Sequence, residues 1–193
     1  QNLPFIVVMP DSGRGFYSDA QVGMAWETAI VGDLVSFIDT RFQTNATREG
    51  RCIGGLSMGG YGAVKLALKY PHIFSSAVSH SGAVTFGHFA FTGEEPWHKE
   101  FALILGEKPT GGENDPLALA AKLKPEERPA LRIDCGVDDF LLESNREFHA
   151  YLNEIGYTHE YEEFSGAHTW DYWDLHVQEA IAFHCKNLGL TQG

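Results

Sequence analysis

The sequence predicts an α/β fold in which a mostly parallel sheet is covered by helices on both faces. Short apolar runs rich in β-branched residues alternate along the chain with longer segments whose apolar residues recur at helical spacing. Gly makes up 21 of the 193 residues, above the usual share of about 7%. This glycine content favours a fold with many tight turns and close backbone approaches.

The composition fits one globular domain that spans residues 1–193. The chain carries 26 acidic and 14 basic side chains, a formal net charge of −12, and is 44% hydrophobic. The acidic balance argues against a nucleic-acid partner or an anionic membrane surface, because a polyanion would be repelled. The sequence contains no run of about 18 apolar residues, so it does not predict a membrane span.

Five strands are predicted from short apolar runs. The first, residues 5–9, is a continuous apolar run that Pro10 ends, and it is predicted to be buried on both faces. The other four predicted strands are residues 51–56, 76–81, 131–135 and 158–164.

Helical periodicity predicts the segments between the strands. Residues 82–129 are less regular and are expected to form an excursion over the active-site edge of the sheet. The predicted helices are residues 24–42, 57–70, 97–105, 116–123, 142–155 and 172–188.

The three cysteines, Cys52, Cys135 and Cys185, are predicted to be buried, reduced thiols, because their number is odd and no CxxC pair occurs. The chain opens at Gln1 rather than Met, which is consistent with removal of a leader or a longer N-terminal segment. The sequence therefore does not determine the cellular compartment, and the cytoplasm is slightly favoured.

The segment Gly55-Leu56-Ser57-Met58-Gly59 matches the pattern G-x-S-x-G between a predicted strand and a predicted helix. Such a tight strand-to-helix turn projects a strained serine above the sheet, where its hydroxyl can act as a nucleophile. The Met58 amide at the helix N-terminus would then donate to a developing oxyanion. The alternative is a glycine-rich turn that serves close packing alone.

A nucleophilic serine needs a histidine base, and the base needs an orienting carboxylate. His168 follows a predicted strand through a small-residue loop, whereas His149, His159, His176 and His184 lie within predicted helices or a strand. His80 ends the third strand and is either structural or a pocket wall. Asp138 and Asp139 both leave the fourth strand, and the residues alone do not choose between them.

Neither the zinc motif HExxH, nor a phosphate-binding loop, nor a G-x-G-x-x-G pattern after a strand is present. The sequence therefore predicts no metal and no nucleotide or flavin cofactor.

Four blocks resemble the esterase D-like family of α/β-hydrolases, most of all its small bacterial tributyrin esterases. They are residues 55–62, 6–11 with 17–19, 135–141, and 166–170 with Trp173. The resemblance implies the α/β-hydrolase fold. By the family's C-G-x-x-D and G-x-H-x-W patterns, it also implies that Asp139 is the acid and His168 the base.

The sequence departs from the family's pattern at the N-terminal end of that pattern. Family members carry further strands there, including one whose His-Gly loop supplies the second oxyanion donor, and no such loop precedes Phe5. Three hypotheses follow: a separate upstream N-terminal segment completes the sheet, a neighbouring molecule in a homo-oligomer does so, or residues 5–9 occupy the vacant place.

The resulting expectation is a serine carboxylesterase that hydrolyses a small-molecule ester with a short acyl group, through Ser57, His168, Asp139 and an acyl-enzyme. Tyr17 and Trp170 are the expected substrate contacts, and Phe16, Phe86, Phe89 and Trp97 are further candidate pocket walls. Feruloyl or acetylxylan esters, an S-formylglutathione-type thioester, and a catalytically silent binding domain are the alternatives.

Overall fold

The computed structural model describes residues 4–190, in which four parallel strands form one sheet. Neighbours in the sheet follow chain order, and Leu56, His80 and Asp134 lie side by side near the carboxyl ends of the first three strands. The predicted α/β class is confirmed. The strands are β1 (Cys52–Leu56), β2 (Ser76–His80), β3 (Ala130–Gly136) and β4 (His159–Phe164).

The helices lie close to their predicted positions. The predicted helix 24–42 is three consecutive helical pieces: α1 (Trp26–Thr28), a π-helical segment (Ala29–Leu34) and α2 (Val35–Arg41). No described helix combines the length and apolarity that a membrane crossing requires. The remaining helices are α3 (Met58–Lys69), α4 (Pro96–Leu105), α5 (Pro116–Lys122), α6 (Leu142–Glu154) and α7 (Trp170–Asn187).

Helices cover both faces of the sheet. On one face, the main core joins α3, α5 and α6 to the inward side chains of the strands, with Leu131, Ile133 and Phe148 at its centre. On the other face, α7 packs Ala180 and Phe183 against Val78 of β2. The helix α7 also places its first turn beside the carboxyl ends of the strands, where the candidate site lies.

The predicted strand at residues 5–9 is wrong. This segment forms no strand, and Val7 and Met9 are 67% and 88% exposed. An apolar run becomes a strand only where a neighbour can accept its backbone hydrogen bonds, and here it pairs with none. Within residues 4–190, β1 pairs only with β2, so the hypothesis that residues 5–9 occupy the place beside β1 is also wrong.

Two of the three cysteines are buried, as the sequence predicts, and the third is only partly so. Cys135 and Cys185 are buried, Cys52 is half-buried, and all three are free thiols. Burial raises the pKa of the Cys52 thiol to about 11 and that of the Cys135 thiol to about 12. Both are therefore neutral small side chains at physiological pH.

Candidate active site

A strained serine lies where β1 turns into α3. Ser57 has φ 53° and ψ −119°, a left-handed conformation that non-glycine residues rarely adopt. A Cβ at Gly55 would lie 2.4 Å from the Gly59 carbonyl carbon, and one at Gly60 would lie 2.5 Å from Ser79 Oγ. Only glycine fits at these two positions, so Gly55 of the motif and the adjacent Gly60 let the strand and the helix approach this closely.

The Met58 amide belongs to the first residue of α3. The first four amides of a helix have no acceptor within the helix, and the helix dipole adds positive potential at this end. An oxyanion formed on an acyl carbon bonded to Ser57 would therefore meet a donor at Met58.

His168 connects the serine to a buried carboxylate. Its Nε2 lies 2.9 Å from Ser57 Oγ, and its Nδ1 lies 2.8 Å from Asp139 Oδ2. Because an ionised carboxylate only accepts hydrogen bonds, Nδ1 carries the proton and Nε2 is free to accept from the serine hydroxyl. The structure therefore places Ser57, His168 and Asp139, the acid that the family resemblance implies, in one hydrogen-bonded series.

Burial and main-chain hydrogen bonds distinguish the two adjacent aspartates. Asp139 is buried, and its second oxygen accepts the Leu141 amide at 2.8 Å. Asp138 points to solvent, and its amide donates to the Gly166 carbonyl in the loop that carries His168. The two loops are thus joined through main-chain atoms as well as through the Asp139–His168 contact.

Aromatic rings flank His168. The Phe140 ring centre lies 4.5 Å from the imidazole, and Trp173 meets it edge-on at 4.9 Å. Trp170 stacks edge-on against Trp173, and Phe140 and Trp170 are 76% and 74% exposed. Trp170 is an expected substrate contact, whereas sequence reasoning missed Phe140, whose position directly after Asp139 was the available signal.

Tyr17, the other expected substrate contact, lies against the first turns of α3. Its hydroxyl is 3.7 Å from where a Gly59 Cβ would stand, and its ring packs against Gly62. Phe16 and Tyr17 both have φ 49°, so this turn is strained. Lys65 Nζ donates to the Tyr17 carbonyl at 2.7 Å and to Ser18 Oγ at 2.8 Å, which holds the turn in place.

Lys65 also pairs with Glu27 at 2.7 Å, and both side chains are almost fully buried. Burial lowers the pKa of Lys65 to about 8, against the opposing effect of the Glu27 carboxylate. Burial raises the pKa of Glu27, but the ammonium groups of Lys65 and Lys69 and the Tyr70 hydroxyl outweigh it, so the net shift is downward. Sequence reasoning missed this pair, because a lysine in an amphipathic helix is normally exposed.

The other candidate aromatics divide between core and surface. Phe16 stacks on Phe86 at 4.6 Å, and both pack around Phe101. Phe89 and Trp97 are about half exposed. Phe16 and Phe86 are therefore packing residues, while Phe89 and Trp97 lie at the surface of the 82–129 segment.

The other histidines that the sequence compared with His168 are bonded elsewhere. His80 is buried and contacts Asp134, and His184 lies 2.9 Å from Ser76 Oγ. His149 and His159 lie 2.7 Å apart, and His176 contacts Glu179. Across residues 4–190, no three His, Cys, Asp or Glu side chains are grouped as metal ligands.

Known proteins that resemble this chain include esterases and serine hydrolases. The family model described as "Putative esterase" matches residues 2–184. The acetyl esterase of Caldicellulosiruptor saccharolyticus is 31% identical over 190 residues, covering 93% of this chain and 71% of that protein.

Two solved structures from Staphylococcus aureus share the fold. Fluorophosphonate-binding serine hydrolase F superposes with a TM-score of 0.80 at 29% identity, over 91% of this chain and 69% of that chain. An S-formylglutathione hydrolase gives 0.76 at 30% identity, over 91% and 70%. The chain thus belongs to the Putative esterase family of α/β-hydrolases and is a carboxylic ester hydrolase.

Proposed function

We propose that this chain hydrolyses carboxylic esters of short acyl groups through an acyl-enzyme on Ser57. The observation that carries the proposal is the hydrogen-bonded series from Ser57 through His168 to the buried Asp139. Serine, histidine and carboxylate in this order supply a nucleophile, its base and the group that fixes the base's tautomer.

Each group has one role in this mechanism. His168 Nε2 takes the Ser57 proton as Oγ bonds to the ester carbonyl carbon, and the Met58 amide donates to the oxyanion. His168 then protonates the leaving alcohol as its bond to the acyl carbon breaks. Water, deprotonated by His168, then attacks the acyl carbon. The bond from that carbon to Ser57 Oγ breaks and His168 returns the proton to Oγ, which releases the carboxylic acid and restores Ser57. Asp139 stabilises the imidazolium throughout without taking its proton.

The substrate assignment rests on the relatives and on the rim of the site. The acetyl esterase relative favours a short acyl group. Trp170, an exposed ring beside the site, would contact the acyl or the alcohol part of the ester. A series of p-nitrophenyl esters from acetate to dodecanoate tests this: kcat/KM should be highest at two to four carbons, and a maximum at eight or more would contradict it.

Thioester hydrolysis by the same three residues is a second candidate, favoured by the S-formylglutathione hydrolase relative. S-formylglutathione and p-nitrophenyl acetate would be compared on one preparation. A kcat/KM for the thioester at least tenfold higher would reassign the substrate class while leaving the nucleophile unchanged.

The unpaired outer edge of β1 is relevant to the source of the second oxyanion donor. Within residues 4–190, β1 has no partner on its outer edge. A cavity of about 200 Å³ near it is lined by four apolar side chains and one carboxylate: Leu56, Trp170, Trp173, Val177 and Asp174. Unpaired strand edges and exposed apolar side chains favour pairing with another strand. We propose that a strand from outside these residues, from a further segment or a second copy, covers the edge and brings the second donor. Native mass spectrometry of the active form should show the mass of that further segment or second copy. Full activity in a 193-residue monomer alone would contradict the proposal.

The catalytic assignment is tested with Ser57→Ala. Turnover should disappear, and circular dichroism should show an unchanged fold. Ester binding in the wild-type chain without any Ser57-dependent turnover would instead identify a silent binding domain.

A further inference from the structure

A buried carboxylate lies between the two loops that carry the candidate catalytic residues. Asp134 is in β3, beside His80 of β2, and its side chain is fully buried on the α7 face of the sheet. A carboxylate removed from water is costly unless it is paired and hydrogen-bonded. Asp134 has no contact with Ser57 or His168 among the described hydrogen bonds, so the proposed mechanism does not use it directly.

Two buried side chains bond to Asp134. His80 Nδ1 lies 2.9 and 2.8 Å from its two carboxylate oxygens, and the Tyr172 hydroxyl donates to Oδ1 at 3.0 Å. Tyr172 is only 3% exposed, and burial together with the Asp134 charge raises the pKa of its hydroxyl, so the hydroxyl keeps its proton. One carboxylate therefore joins β2 and the first turn of α7.

His80 connects this carboxylate to the nucleophile. The backbone carbonyl of His80 accepts the Ser57 amide at 2.9 Å, directly at the strained turn. The Ser81 amide in turn donates to the Asp134 carbonyl at 2.7 Å. His80 therefore contacts Asp134 through its ring and Ser57 through its main chain.

Tyr172 connects the same carboxylate to the base. Its ring packs against Gly166, where a Cβ would lie 2.8 Å from Tyr172 Cδ2, and Gly166 has φ 137°. Gly166 is two residues before His168, and its carbonyl accepts the Asp138 amide at 2.9 Å. The ring of Tyr172 therefore fixes the loop that aims His168 at Ser57.

We propose that Asp134 is a positioning residue that holds the Ser57 turn and the His168 loop in a common frame through His80 and Tyr172. The proposal rests on the proposed hydrolase function. Its physical basis is preorganisation: misplacing a reacting group by about 1 Å can cost about 100-fold in rate. Asp134 neither touches the substrate nor moves a proton in this scheme.

The test compares the loss of a buried tyrosine hydroxyl at two places in the fold. Tyr172→Phe removes the hydroxyl on Asp134, and Tyr157→Phe removes an equally buried hydroxyl that donates to the Pro129 carbonyl at the opposite end of the sheet. Both should lower the melting temperature, Tyr172→Phe by more because its acceptor is a carboxylate, so kcat is compared well below both melting temperatures. Only Tyr172→Phe should lower kcat, by about tenfold or more with KM within twofold, because without its hydroxyl the ring that packs on the His168 loop is no longer anchored to Asp134.

The labelling rate by a fluorophosphonate, measured well below the melting temperature, should fall in parallel with kcat in Tyr172→Phe. Equal kcat values and labelling rates in the two variants would overturn the proposal. Asp134→Asn and His80→Gln are each combined with Tyr172→Phe in a double variant. The losses of kcat should be non-additive in both combinations, because all three side chains act through one carboxylate. Additive losses would contradict a shared frame.

A readout without turnover separates this proposal from the hydrolase assignment. The proton on His168 Nδ1, bonded to Asp139, should give a low-field NMR resonance in the wild-type chain and in Tyr157→Phe. It should broaden or vanish in Tyr172→Phe. If the wild-type chain shows no Ser57-dependent turnover, the hydrolase assignment fails on that measurement, while an unchanged resonance in Tyr172→Phe overturns the positioning role by itself.

Discussion

His168 and Asp139 are joined at 2.8 Å between Nδ1 and Oδ2, whereas the carboxylate of the preceding residue, Asp138, faces solvent. Asp139→Asn should therefore lower kcat by about 10⁴, because an amide no longer enforces the tautomer that leaves Nε2 free. Asp138→Asn is the matched control and should stay within twofold of the wild-type kcat. Steady-state kinetics on one ester decide between them, and a larger loss in Asp138→Asn would reverse the assignment.

Lys65→Met should destabilise the fold by about 3 kcal/mol, because it leaves Glu27 buried without its main partner. It should also raise KM, since Lys65 holds the strained turn that carries Tyr17. Lys99→Met, which breaks an exposed pair with Glu94, is the control and should change the free energy of unfolding by less than about 0.5 kcal/mol. Urea unfolding measures both, and a cost below about 1 kcal/mol for Lys65→Met would contradict the buried pair's role.

Gly55→Ala should distort the nucleophile turn, because the new Cβ would lie 2.4 Å from main-chain atoms of Gly59. Overpacking costs about 1 to 3 kcal/mol, and the variant should lose fluorophosphonate labelling because the main chain at Ser57 must shift. Gly32→Ala, where a Cβ meets open space, should keep both stability and labelling. Normal labelling of Gly55→Ala would show that the turn does not need its glycine.

Acid should destabilise the fold through His184. Burial, followed by the charge of His80, lowers the pKa of His184 to about 4. The unfolded chain, with a pKa near 6.5, then binds more protons than the folded chain between about pH 4 and pH 6.5. The stability that this neutral histidine contributes is present above pH 6.5 and is lost as pH falls toward 4, by up to about 3 kcal/mol.

His184→Gln should flatten that pH dependence, because glutamine keeps a polar group near Ser76 but does not titrate. Urea unfolding at pH 4.5, 5.5 and 7 measures the slope for both proteins. An equally steep loss in His184→Gln would assign the acid sensitivity to other groups.

Local patterns predicted the sheet's four strands and the helices well, because apolar period and turn residues determine them. The Ser57 turn was predictable for the same reason, since the strand, the small residues and the helix are adjacent in sequence. His168 was found by its place after a strand, and Asp139 was separated from Asp138 only by the family resemblance.

The failures involve interactions between segments distant in sequence. The run at residues 5–9 has the composition of a strand, but no described neighbour pairs with it. The burial of Lys65 depends on Glu27, which is 38 residues away, and no local pattern encodes that pairing. The contact of Asp134 with Tyr172 likewise joins residues that are 38 positions apart.

The central claim is that Ser57 is an activated nucleophile. Intact-protein mass spectrometry before and after treatment with a fluorophosphonate probe tests it most directly. One adduct per chain, mapped to Ser57 and absent from Ser57→Ala, is the predicted result. No adduct on the wild-type chain, or an adduct that persists in Ser57→Ala, would contradict it.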